Sequence, residues 1–154
     1  MKAKWFIILV LSMSFTISRL ALAADEHEDN EVATKIPTTI SGIWGEVKEG
    51  EANLSTIITD KKLDKVHEAA FEIRDLVNAL PDKSIDLPAD NLAKVKSNAK
   101  YVADIAKRLD ESGDAGDQAG TEANFKKLQN FLKIIETQYS SQQLKSVENE
   151  KVKS

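Results

Sequence analysis

The 154-residue chain has two histidines, His27 and His67, and no cysteine. Imidazole is the commonest protein metal ligand and the usual general base near neutral pH. His27 closes the run Ala24-Asp25-Glu26-His27. A chain starting at Asp25 would present its free amine, two deprotonated amides and an imidazole at position three. Four such nitrogens make a square-planar set that suits Cu(II) or Ni(II). Asp25, Glu26 and His27 are therefore the first candidate metal site. A start at Ala24 puts His27 at position four and weakens it. The competing reading of the same residues is a loose acidic tail.

His67 is the second candidate. It stands one helical turn from Leu63 and Phe71, beside an apolar stripe. There it would act as a metal ligand or proton acceptor, helped by Glu68 or Glu72. Glu68 is the next residue and points elsewhere on a helix, and Glu72 is five residues away. No second ligand follows at three or four residues, so the alternative is a boundary histidine with a water or backbone partner. Asp110, Asp114 and Asp117 surround Gly113 but lack the spacing of an EF-hand loop. Asn53-Leu54-Ser55 matches a glycosylation acceptor in mid-helix with Leu54 inward, a chance match. One histidine in the folded part leaves no Ser-His-Asp arrangement to argue, and no enzyme is expected.

Whether His27 reaches a chain start depends on the leader. Lys2 and Lys4 precede an apolar run from Trp5 to Phe15, and Ala21-Leu22-Ala23 closes the segment. Basic start, short apolar middle and Ala-x-Ala exit are the marks of a cleaved secretory signal. A spanning helix needs about 20 predominantly apolar residues. This run is shorter, and Arg19 follows it. Residues 1–23 are thus expected to be removed and the protein to be periplasmic. Residues 24–38 then read as an acidic flexible segment, 39–140 as a four-helix bundle, and 141–154 as a polar C-terminal tail.

Removing three of the 21 basic residues leaves 18 against 25 acids, a net charge of −7. That charge argues against nucleic acid, whose phosphates need a basic face. It also argues against docking on an anionic lipid surface, so no membrane partner is expected after cleavage. A protein partner, a monomer and a homodimer all stay open. Without cysteine, stability rests on packing alone.

Four segments carry apolar residues at steps of three and four. The first runs from about Thr39 to Thr59, with Ile40, Ile43, Val47, Gly50, Leu54 and Ile57. Trp44 and Ile58 widen that stripe. The second runs from about Lys61 to Leu80, capped by Asp60, with Leu63, Val66, Ala70, Ile73, Val77 and Leu80. The third begins between Leu87 and Asp90 and ends near Ser112, where Gly113 is expected to close it. Its seam is Leu92, Val95, Ala99, Val102, Ala106 and Leu109. The fourth covers Thr121 to Tyr139 and starts as early as Asp114, with Thr121, Phe125, Leu128, Leu132, Ile135 and Tyr139. No stretch alternates as a strand would. The expected fold is all-α, a single antiparallel up-down-up-down four-helix bundle with short connections. A three-helix core with a displaced helical hairpin is the alternative.

The leader, the size and the four seams resemble the small periplasmic four-helix cytochromes, the b-type bundle cytochrome and cytochrome c′. The stretch Val66-His67-Glu68-Ala69-Ala70-Phe71-Glu72-Ile73-Arg74-Asp75-Leu76 and the run Gly113 to Thr121 also resemble exported helical proteins encoded beside metal-efflux genes. The resemblance implies the bundle fold. It does not carry a haem site across. A c-type haem needs Cys-x-x-Cys-His, and there is no Cys. The b-type bundle holds iron between a Met on its first helix and a His on its last. Met1 and Met13 leave with the leader, and the last helix has no His.

The expected function is a non-enzymatic exported binding or accessory protein linked to metal handling or envelope stress. Cu or Ni is the cofactor to test, and haem is not expected. The alternative is a structural or protein-interaction module without a ligand. A cytochrome-like electron carrier ranks third.

Overall fold

The structure is a computed structural model that describes residues 34–139. Residues 1–33, with Asp25, Glu26 and His27, and residues 140–154 lie outside the described residues. The described residues form four α-helices and no strand. These are α1 (Ile40–Thr59), α2 (Val66–Lys83), α3 (Ala89–Asp114) and α4 (Gln118–Glu136), with a 3-10 turn over Leu63–Lys65 before α2.

Local chemistry explains where two of the helices begin. Thr39 is extended, and its hydroxyl oxygen accepts the Gly42 N–H at 3.1 Å. The Asp117 carboxylate accepts the Gly120 N–H at 3.0 Å at the start of α4. Both satisfy backbone donors that the first turn leaves without partners.

Four boundaries differ from the sequence expectation. Asp60 closes α1 as its C-cap instead of opening α2, because the 3-10 turn intervenes. The turn reverses through Lys61 at φ 58°, a left-handed conformation on a non-glycine residue. Pro81 lies inside the last turn of α2 instead of starting the loop. That end is held by buried Ser84, whose N–H reaches the Pro81 carbonyl and whose hydroxyl donates to the Leu80 carbonyl at 2.6 Å. Gly113 does not close α3 but lies buried within it. The left-handed position falls to Gly116, at φ 65°. Tyr139 sits just past the end of α4.

The seams read from the sequence form one core. Ile43, Val47, Leu54, Val66, Ala70, Ile73, Val77, Leu80, Val95, Val102, Ala106, Leu109, Leu128 and Ile135 are all nearly inaccessible. Burying each large aliphatic side chain stabilises by roughly 1.5–3 kcal/mol. Leu63, Leu92, Ile40, Ile57 and Phe71 pack partly buried at its margin. Among the described residues the core runs from Ile43 to Tyr139.

α1 packs on α2, α2 on α3 and α3 on α4, and α1 touches α4 more lightly. Trp44, Ser84, Asn91 and Tyr139 meet at one end. The Ser84 and Tyr139 hydroxyls are 2.8 Å apart, and Asn91 donates to the Gln138 carbonyl at 3.0 Å. At the other end Gln118 donates to the Ile58 carbonyl at 2.9 Å, and His67 meets Asp110. Among the described residues no helix is long and apolar enough to cross a membrane.

Candidate functional site

His67 lies on the first turn of α2, beside the end of α3. The approach depends on Gly113: a Cβ there would stand 3.0 Å from the Leu63 carbonyl oxygen and 3.1 Å from Val66 Cβ. One turn earlier on α3, Asp110 faces His67 with Oδ1 2.9 Å from Nδ1. An ionised carboxylate only accepts, so Nδ1 carries the hydrogen and donates. In the neutral ring, Nε2 then holds the lone pair. The side chains keep 32% and 23% of their surface accessible.

Phe71 packs against the imidazole edge-on, with ring centroids 4.3 Å apart at 76°. The Arg74 guanidinium lies 4.1 Å over the same ring. Its Nε also donates to Asp75 Oδ1 at 2.7 Å, while Thr34 donates to Asp75 Oδ2 at 3.3 Å. The sequence thus builds a ladder at positions 67, 71 and 74, one face of a helix at steps of four and three.

This arrangement orients an imidazole through a carboxylate on the neighbouring helix. Glu68 and Glu72 are exposed, and the carboxylate that pairs with His67 is Asp110 instead. Among the described residues no group of three or more His, Cys, Asp or Glu side chains could hold a metal. The partner of His67 Nδ1 is a side chain of another helix. A carboxylate 43 residues away was invisible to helical spacing within α2. The described residues contain no Met or Cys, and their one His, His67, bonds Asp110 through Nδ1.

The opposite end holds a second polar cluster in the core. Ser84 uses its hydrogen on the Leu80 carbonyl, so Tyr139 donates to Ser84. Burial pushes the Tyr139 hydroxyl above its ordinary value, and the Ser84 hydroxyl partly opposes that. Trp44 meets Tyr139 edge to face at 6.0 Å. Among the described residues its buried indole N–H has no hydrogen-bond partner, nor does the Gln118 side-chain carbonyl. Gly50 adjoins Ile73, whose Cγ1 would lie 3.0 Å from a Cβ, so this glycine serves close packing of α1 on α2.

Asp114 and Asp117 are exposed at the α3–α4 turn, and Asp117 caps α4. Comparison of the chain with protein families, curated proteins and solved structures finds no match.

Proposed function

We propose that this chain is an exported, non-enzymatic helical-bundle binding or accessory protein. Its helices run up-down-up-down, and its leader, residues 1–23 or 1–24, is removed in the periplasm. The resemblance to small periplasmic four-helix proteins and the signal-like leader support export. Contacts between the start of α1 and the end of α4, and between the end of α1 and the start of α4, support the antiparallel order.

The metal-handling part of the proposal rests on the N-terminal Asp25-Glu26-His27. The observation that carries it is the run Asp25-Glu26-His27 itself, which at a chain start supplies four nitrogens for a square-planar ion. The Asp110 bond occupies only Nδ1 of His67, so Nε2 of that ring is the second imidazole nitrogen to test. Titration of the processed chain with Cu(II) and Ni(II) tests this. Binding lost in His27→Ala and kept in His67→Ala supports the site. Binding no tighter than that of the His27→Ala chain removes it.

An interaction module without a ligand is the second reading. Exposed Tyr101 and Ile134 favour it, because they place apolar surface on the outside of the helices.

A further inference from the structure

The chain enters the bundle along α2, and two contacts fix its direction there. Trp44, one turn into α1, meets Tyr139, whose hydroxyl bonds Ser84 just past the end of α2. Thr34, ten residues before Trp44, donates to Asp75 Oδ2 at 3.3 Å. Asp75 stands nine residues before Ser84. Followed back from α1, the chain therefore runs down α2 toward its N-terminus by roughly 13 Å.

His67 lies further along that course. Positions 67, 71 and 75 recur at steps of four, so His67, Phe71 and Asp75 share one stripe of α2. Asp75 and His67 are about 12 Å apart along the helix axis. Seven residues separate His27 from Thr34, and seven extended residues span up to about 23 Å. His27 thus has enough chain to bring its imidazole to that of His67. Asp25, Glu26, Glu28, Asp29 and Glu31 accompany it in sequence.

His67 is prepared for a ligand on its second nitrogen. Asp110 takes the Nδ1 hydrogen at 2.9 Å, which fixes the tautomer and leaves the lone pair on Nε2. The side chain keeps 32% of its surface accessible, and Phe71 packs edge-on against the ring. A carboxylate behind a histidine recurs in metal sites, where it orients the ring and raises its basicity. Among the described residues no group of three ligands surrounds it, so the others must come from the segment before Thr34.

We propose that His67 Nε2 and His27 hold one Zn(II)-type divalent ion between them, with a carboxylate of residues 25–31 as third ligand. Two imidazoles and a carboxylate are a zinc set, with water in the fourth tetrahedral place. The ion fastens the N-terminal segment to the α2–α3 pair. The site rests on the metal-handling reading of His27 but not on a chain start at Asp25, because it uses no terminal amine and no backbone amide. Zn(II) takes tetrahedral ligands and Cu(II) or Ni(II) the square-planar four-nitrogen set, so the two kinds of ion report the two sites separately.

The test is calorimetric titration of the processed chain, residues 24–154, with Zn(II). His27→Ala and His67→Gln should each weaken binding by about tenfold or more, and Asp110→Ala by about 10–100-fold at unchanged helicity. In the parent chain, histidine side-chain nitrogen spectra should show Zn(II) shifting Nε2 of His67 together with a ring nitrogen of His27. Zn(II) affinity unchanged in His67→Gln, or a shift at one ring only, would overturn the proposal. If Zn(II) needs both histidines while Cu(II) binds the parent no tighter than the His27→Ala chain, this site stands and the four-nitrogen site falls.

Discussion

His67 Nδ1 and Asp110 Oδ1 meet at 2.9 Å across the α2–α3 interface, 43 residues apart in sequence. The pair joins the first turn of α2 to the last turns of α3. Both groups are partly exposed, so their mutual contribution is modest. A double-mutant cycle with His67→Ala and Asp110→Ala should give a coupling of about 0.5–1.5 kcal/mol in urea denaturation. A coupling near zero would reduce the pair to a coincidence of packing.

Glycines in these helices have opposite roles, and alanine substitutions separate them. A Cβ added at Gly45 would meet nothing within 4 Å, whereas one at Gly113 would crowd Leu63 and Val66. Gly45→Ala should raise stability by about 0.5–1 kcal/mol through helix propensity. Gly113→Ala should lower it by about 1–3 kcal/mol, as overpacking does. Thermal melts of the two variants should move in opposite directions.

Lys61 bears the strain of the α1–α2 turn at φ 58°. A side chain in the left-handed region costs about 1–2 kcal/mol. Lys61→Gly relieves that cost, with a partial offset from unfolded-state entropy, and should raise stability by up to about 1 kcal/mol in urea denaturation. The exposed Lys62–Asp60 pair at 2.9 Å beside it contributes little, because solvent screens it.

Tyr139 predicts an alkaline limit. Its hydroxyl is raised above 10.0 because burial disfavours the charged form. The fold therefore binds the tyrosine proton more tightly than the unfolded chain does. The stability this gives is complete below the unfolded value and is lost as pH rises through the folded one. In urea denaturation from about pH 9 to pH 11, Tyr139→Phe should lose less stability than the parent. At neutral pH the same variant should be weaker by about 1 kcal/mol, having lost the bond to Ser84.

The fold was legible where periodicity governs and illegible where contacts between helices decide. Steps of three and four identified the helices and most core positions, though not Ala69, Leu76, Leu87 or Ile105, and the expected start near Thr39 falls on the cap residue of α1. Gly113 misled, because a glycine after an apolar run looks the same whether it turns the chain or admits a neighbouring helix. Only the approach of Leu63 and Val66 separates the two. Asp60 misled for a related reason: a capping residue type between two helices serves either one. At His67 the residue was visible and its partner was not, since Asp110 belongs to another helix. The Ser84–Tyr139 bond joins positions 55 residues apart and left no mark on either local pattern. Asp25, Glu26 and His27 rest on sequence alone.

Removal of the leader is central to the proposed function, because it exposes the His27 region and takes both methionines away. Intact-mass measurement of the protein recovered from the envelope of its host tests it most directly. The expected mass is that of a chain beginning at Ala24 or Asp25, and a start at Asp25 sets His27 at position three for Cu(II) or Ni(II). A mass that still includes Met1 through Ala23 would contradict it.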